Sequence, residues 1–279
     1  MNKAMELLGY GLQESPNQWN CSRPGHTYYF ANTKTIFTGI PKSGCSNWIE
    51  FLLRTEGILL EKIEPTEVYR IHEISDPYRL TQLEVLNSVN LAAAGGNVFS
   101  FAVVRNPWTR LVSGYRDKLS DEPTQGRSFD ILAHSIVRKM NKIDGIINDA
   151  EHPTFDQYLR WIVLQDKLQN DHFTPQHLTL CIPHAKYDNL IPLEYSSILS
   201  QDIAKKINGS DSDTLLGPYG NSSASDPRLQ SSTLLAKEWL SKQDAKLIDQ
   251  LYSIYEADFV MMNYSNFTHP DFPLPIEDV

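Results

Sequence analysis

KTIFTGIPKSGCSNWIEFLLRTEG, residues 34–57, changes period half-way along. KTIFTGI (34–40) is short, β-rich and stopped by Pro41. In NWIEFLLRTEG the apolar Trp48, Ile49, Leu52 and Leu53 recur at helical spacing, and Gly57 is a stop signal. The order is strand, tight loop, helix. The loop between them is Pro41-Lys42-Ser43-Gly44-Cys45-Ser46-Asn47. A loop in that position exposes backbone N–H groups and the positive end of a helix dipole, which suits a phosphate. Gly44 allows close backbone approach, Ser46 offers a hydroxyl and Lys42 a mobile cation. The lysine precedes the glycine, so this is not the G-x-x-x-x-G-K-[ST] loop of ATPases. Read alone, the stretch equally allows Gly44 merely to turn the chain and Lys42 to be a solvated charge.

The same grammar recurs further on. NVFSFAVV (97–104) is a nearly continuous apolar run, as expected of a strand buried on both faces. It ends in Arg105-Asn106-Pro107-Trp108, where Asn106 suits an N-cap and Pro107 a first helical residue. The spacing predicts a helix through TRLVSGYRDKLS. Arg105 would lie at the carboxyl edge of the sheet, where open α/β sheets bind ligands. Arg110 and Ser113 are three residues apart on the following helix, on neighbouring positions of one face. Arg105 and Ser113 are suited to clamp a second phosphate. Equally, Arg105 can pair with a helix C-terminus and Ser113 with its own backbone.

Outward from these two units, RLTQLEVLNSV (79–89) reads as helical, as do 128–142, 154–168, a stretch near 196–206 and 236–257. YDNLIPLE (187–194) reads as a strand, and 208–232, rich in Gly, Ser, Asp and Pro, as a long loop. Residues 1–30 show little periodicity and are expected to form an irregular arm. Residues 31–279 are read as one domain, since no linker divides them. Strands alternating with helices predict a three-layer α/β fold with a mainly parallel sheet.

Composition narrows the function. With 41% hydrophobic and 21% charged residues, the chain has enough apolar material for an ordinary core. A net charge of −9 argues against a nucleic-acid binder with a broad basic face, so any anion site must be local. Three cysteines make no disulfide framework. No run of about 18 apolar residues encodes a membrane-spanning helix. Sequons at Asn20, Asn208, Asn221, Asn263 and Asn266 point toward a lumenal or extracellular setting.

IPKSGCSNW, followed about sixty residues later by FAVVRNPWTRLVSGYRDK, resembles the Golgi carbohydrate sulfotransferases of the chondroitin, dermatan and glucuronyl-glycan O-sulfotransferase type. DHFTPQHLTLCIPHAKYDNLIPLE and LYSIYEADFVMMNYS are similar to two further stretches of that family, in the same order. The resemblance covers roughly residues 30–265. It implies a three-layer, P-loop-like sulfotransferase fold. It also implies 3′-phosphoadenosine 5′-phosphosulfate as sulfonate donor, a glycan or proteoglycan acceptor, and the Golgi lumen as compartment, with any anchor absent from this chain. Carried over by position, Lys42, Ser43, Gly44, Cys45, Ser46 and Asn47 would line the 5′-phosphosulfate site, and Arg105 and Ser113 would hold the 3′-phosphate. The loop 217–230 falls where the family closes over the nucleotide. Ser46 replaces the family's threonine and keeps the hydroxyl. His184 stands where the family has a second cysteine, so a bridge implied there cannot form.

Sulfonate transfer, like phosphoryl transfer, asks mainly for positioning and charge stabilisation. Lys42 suits the leaving 5′-phosphate. The acceptor hydroxyl needs a base, and RIHEISDPYRL (70–80) offers His72 and Glu73; the resemblance favours His72. No metal is required. His172, His177, Cys181 and His184 have zinc-ligand chemistry but no established finger spacing. Cys45 at a helix N-terminus is a conceivable nucleophile. Trp161 and Tyr158 are read as core. Two other readings stay open: a nucleotide-dependent kinase and a non-catalytic nucleotide or glycan module. The first lacks an acidic strand end, since 97–104 ends in arginine; retention of Lys42 and Arg105 argues against the second, for which alanine at either position would have spoken.

Overall fold

The computed structural model describes residues 27–58, 69–80, 98–121, 129–147, 149–165, 168, 170–180, 187–208 and 227–264. Four strands occur among them: β1 (Thr27–Phe30), β2 (Thr35–Gly39), β3 (Phe99–Val104) and β4 (Asn189–Pro192). The helices, in chain order, are α1 (Cys45–Thr55), α2 (Tyr69–Ser75), α3 (Pro107–Lys118), α4 (Asp130–Asp144), α5 (Phe155–Val163), α6 (Gln176–Thr179), α7 (Ser196–Asn208), α8 (Pro227–Leu240) and α9 (Ala245–Met261). Two compact units share them, one drawing on 1–106 and 176–226, the other on 107–175 and 227–279.

The first unit is α/β. Its sheet has the order β1-β2-β3-β4, with β1 antiparallel to β2 and the β2–β3 and β3–β4 pairs parallel. The expected mainly parallel sheet is therefore present in a mixed α/β architecture. β2 is buried along its whole length and β3 from Ser100 onward, as parallel strands covered on both faces require. The registers Gly39↔Val103 and Val104↔Pro192 bring the carboxyl ends of β2, β3 and β4 to one edge. Residues 27–30, read from sequence as part of the arm, are strand β1. Four residues carry too little pattern to declare themselves; pairing with β2 does so by burying Tyr28 and Phe30.

Beneath the sheet edge, α1 buries Trp48, Ile49, Phe51, Leu52 and Leu53. Trp48 meets Phe101 edge-on at 4.9 Å between ring centroids, and Phe101 meets Phe37 at 4.9 Å. Such pairs add about 0.5–1.5 kcal/mol each beyond area burial. They anchor the helix whose first turn forms the candidate site.

The second unit is helical. Its core is aromatic: Tyr158 packs on Phe173 at 5.2 Å, Tyr115 on Tyr158 at 5.5 Å, and Trp108 on Phe259 at 5.4 Å. Tyr158 and Trp161 belong to this core, as expected. A β-carbon on Gly114 of α3 would stand 3.0 Å from the Phe173 ring and 3.3 Å from the His172 carbonyl, so a larger residue there would press the ring by a few tenths of an ångström.

Four sequence expectations are corrected here. The final helix read at 236–257 is two helices, α8 and α9, because Asp244 caps α9 by accepting from the N–H groups of Lys246 (2.9 Å) and Leu247 (3.3 Å). The loop read at 208–232 gives way to helix at Pro227, a proline fitting the first helical position. The expected helix at 154–168 ends at Val163, and the strand at 187–194 narrows to Asn189–Pro192. The helix read at 79–89 lies outside the described residues beyond Leu80, as do 217–226 of the proposed closing loop.

Candidate active site

The loop between β2 and α1 has the form its sequence suggests. The Ser43 N–H donates to the Ile40 carbonyl at 3.1 Å, closing a four-residue turn with Pro41 second and Lys42 third. Lys42 has φ 69°, so this is the type II pattern, which places a left-handed residue third. Glycine usually occupies that place; a lysine there costs roughly 1–2 kcal/mol. Strain of this kind persists where surrounding contacts impose it, and it clusters at functional sites. Gly44 follows with φ 74° and caps α1 without any side-chain hydrogen bond. The first turn of α1 also contains no acidic residue. Cys45, Ser46 and Asn47 thus present a helix N-terminus that neither a side-chain cap nor a carboxylate occupies, an environment that favours an anion.

The end of β3 approaches this loop. Arg105 is 5% exposed, and its guanidinium donates to the Lys42 carbonyl at 3.0 Å. This bond holds the peptide of the strained residue and draws the two sequence motifs to one sheet edge. A third group joins them. Gln176, at the start of α6, is wholly buried. Its Oε1 accepts from the Arg105 N–H (2.9 Å) and from the Ser43 hydroxyl (3.1 Å), while its Nε2 donates to the Arg105 carbonyl (2.7 Å). Glu194, following β4, accepts from the Asn106 N–H at 3.0 Å. Sequence reading missed Gln176 and Glu194. Both lie in the stretch 171–194 that carries the resemblance, but nothing in spacing or charge singles them out.

Helix α2 supplies the titratable group. His72 is half-buried and its Nε2 lies 3.1 Å from the Ser46 hydroxyl, whereas the neighbouring Glu73 is exposed. Cys45 stands beside the same ring. Burial pushes its thiol up, but hydrogen bonding to His72, the charges of His72 and Lys42, and a hydrogen bond to Ser46 outweigh it and hold the pKa below the ordinary thiol value. Lys42, Cys45, Ser46 and His72 therefore gather at the head of α1.

Ser113, Arg110 and His172 belong to the second unit. Ser113 is half-buried on α3 of the second unit. Arg110, its neighbour on the helix, is 1% exposed and donates to the carbonyls of Thr174 (2.7 Å) and Asp171 (2.6 Å). The His172 ring nitrogen Nδ1 is 3.2 Å from Asn170 Oδ1, and the ring packs edge-on against Phe129. Cys181 and His184 lie outside the described residues. Among the described residues no group of three or more His, Cys, Asp or Glu side chains is arranged to hold a metal ion, and no helix is long and apolar enough to cross a membrane.

Comparison with known proteins decides the affiliation. The model of the sulfotransferase family matches residues 26–265, spanning both loops, α2 and α9. The chain belongs to the sulfotransferase family. Relatives of this sulfotransferase-family chain include carbohydrate sulfotransferase 12 of Xenopus laevis, 24% identical over 82% of the chain and 57% of that protein. Carbohydrate sulfotransferase 10 of Rattus norvegicus is 26% identical over 86% of the chain and 66% of that protein. Carbohydrate sulfotransferase 11 of the same species is 23% identical, over 82% and 64%. The chain thus spans 57–66% of the length of these relatives. No solved structure matches it.

Proposed function

We propose that this sulfotransferase-family chain transfers sulfonate from 3′-phosphoadenosine 5′-phosphosulfate to a hydroxyl of a glycan acceptor, through a three-layer, P-loop-like site. The observation that carries the reading is the meeting of the two motifs at one sheet edge, where Arg105 holds the Lys42 carbonyl beside an α1 N-terminus with no side-chain cap. Membership of the sulfotransferase family and the names of its relatives support the choice of donor and acceptor classes.

In this reading Lys42 and the N–H groups at Gly44, Cys45, Ser46 and Asn47 receive the 5′-phosphosulfate, and Ser43 supports them from beneath. Arg105 binds the 3′-phosphate; Ser113 is assigned to the same phosphate by the motif alone. His72 takes the proton of the acceptor hydroxyl as its oxygen forms a bond to sulfur. The bond from sulfur to the 5′-phosphate oxygen breaks, and Lys42 stabilises the charge left on that oxygen. Adenosine 3′,5′-bisphosphate and the sulfated glycan leave. The Golgi lumen is the compartment this reading implies.

Thermal unfolding with adenosine 3′,5′-bisphosphate, ATP-magnesium and AMP tests it. At about 100 times its Kd the bisphosphate should stabilise the protein by about 2.7 kcal/mol. Selective stabilisation by the bisphosphate, followed by radiolabelled sulfonate transfer onto a glycan panel, is the expected result. Stabilisation by ATP-magnesium alone would replace this reading with a kinase, and no response to any nucleotide would replace it with a glycan-binding module.

A further inference from the structure

We infer that Gln176 is a positioning residue that sets the spacing of the two anion-binding loops, so that a donor bearing phosphates at both ends is bound as one unit. The inference rests on the donor reading above for its consequence, and on hydrogen-bond geometry for its cause.

A primary amide has two different ends. The Arg105 N–H can only donate and the Arg105 carbonyl can only accept, so Oε1 must face the first and Nε2 the second. The side chain thereby pairs with Arg105 as a neighbouring strand would. It extends the ladder one residue beyond the last register pair, Val104↔Pro192. Were capping β3 its whole purpose, these two bonds would suffice. The same Oε1 also accepts from the Ser43 hydroxyl of the other loop. The Arg105 guanidinium then returns to the carbonyl of Lys42, the residue before Ser43. Ser43, Gln176, Arg105 and Lys42 form a closed ring in which Ser43 and Gln176 are wholly buried and Arg105 nearly so.

The ring does what neither loop does alone. Lys42 has a left-handed backbone, a conformation a free loop would leave. Arg105 is the first residue past its strand. Bonds of Ser43 and Arg105 to a common buried amide, with the Arg105 guanidinium on the Lys42 carbonyl, fix one loop against the other, and buried hydrogen bonds of this kind are costly to leave unmade. Preorganised loops bind a two-ended anion without the ordering cost that separate loops would incur. A ligand that engages only the 5′ loop gains much less from the alignment.

Gln176→Met keeps length and removes all three bonds; Ser43→Ala removes only the bond to the first loop and leaves the cap on β3. In Gln176→Met the Kd of adenosine 3′,5′-bisphosphate, by calorimetry, should rise on the order of thirtyfold, and that of 5′-AMP by no more than about threefold. In Ser43→Ala the bisphosphate Kd should rise by about tenfold with AMP again little changed. Equal losses for both nucleotides, or an unchanged bisphosphate affinity in Ser43→Ala, would overturn the proposal. Hydrogen exchange of the ligand-free protein supplies a readout independent of the donor. Segments 40–46 and 103–107 should both exchange about tenfold faster in Gln176→Met, and Ser43→Ala should accelerate 40–46. Acceleration confined to 103–107 would make Gln176 a strand cap only and sink the inference. If the wild-type protein binds no bisphosphate, the donor reading fails by itself, and the exchange result still decides whether Gln176 couples the loops.

Discussion

Arg105 and Arg110 stand five residues apart, one just past β3 in the α/β unit and one inside the helical unit, and both are almost wholly buried. Arg110 donates to two backbone carbonyls, of Thr174 and Asp171. It ties a loop down inside an aromatic core. Arg105 reaches the strained Lys42 peptide at the open edge of a sheet, beside a helix N-terminus with no side-chain cap. A buried guanidinium is costly unless its donors are satisfied, so burial by itself says nothing about purpose. What the partner group is attached to says more. Carbonyls of a packed loop are tied down by Arg110; the carbonyl of a left-handed lysine in the proposed anion loop is held by Arg105.

Variants at the sheet edge of the first unit should therefore change ligand and rate readouts, and variants in the aromatic core of the second should change stability. His72→Ala should produce the largest effect. Turnover should fall by roughly two to four orders of magnitude while bisphosphate affinity is retained. Near-normal turnover would return the base role to Glu73 or elsewhere. Arg110→Met should lower unfolding free energy by about 3 kcal/mol in a denaturant titration, because two carbonyls lose charge-assisted bonds. A loss of nucleotide affinity with stability intact would break the contrast between the two arginines. Arg105→Ala should weaken bisphosphate binding by about 2–3 kcal/mol, on the order of a hundredfold. Unchanged affinity would remove Arg105 from the phosphate site.

Smaller effects sharpen the comparison. Tyr255→Phe removes a hydroxyl that donates to the Phe173 carbonyl at 2.5 Å in the helical core, and should cost about 1 kcal/mol of stability with no change in nucleotide affinity. Alkylation of Cys45 by iodoacetamide should follow an apparent pKa below that of an unstructured cysteine. His72→Ala removes its main lowering partner and should move the curve upward. The thiol is depressed in the folded state, so its contribution to stability grows as pH rises through the folded pKa and is complete above the unfolded value. Bound bisphosphate should slow the alkylation. A curve identical in wild type and His72→Ala would separate Cys45 from the histidine.

Much of the first unit was legible along the chain. A run buried on both faces, a stop and a helical repeat are local patterns, and they occur twice, at 34–57 and at 97–118. Lys42, Gly44, Ser46 and Arg105 could be named because loops between a strand and a helix have a known place at the sheet edge. β1 was not legible, since its four residues become a strand only by pairing with β2. The break between α8 and α9 was missed because the apolar pattern runs on through it, while a single capping aspartate ends one helix and starts the next.

Sequence alone determined the strand–loop–helix units, the anion-suited chemistry of their loops and the family resemblance, because each is written in neighbouring residues or fixed order. Tertiary structure alone decided which histidine neighbour faces Ser46, which arginine serves the core, and that Gln176 joins Ser43 to Arg105. Those residues are separated by 26, 64, 133 and 71 positions from their partners. Side-chain hydrogen bonds act over about 3 Å, and only the folded backbone brings such distant positions within that reach.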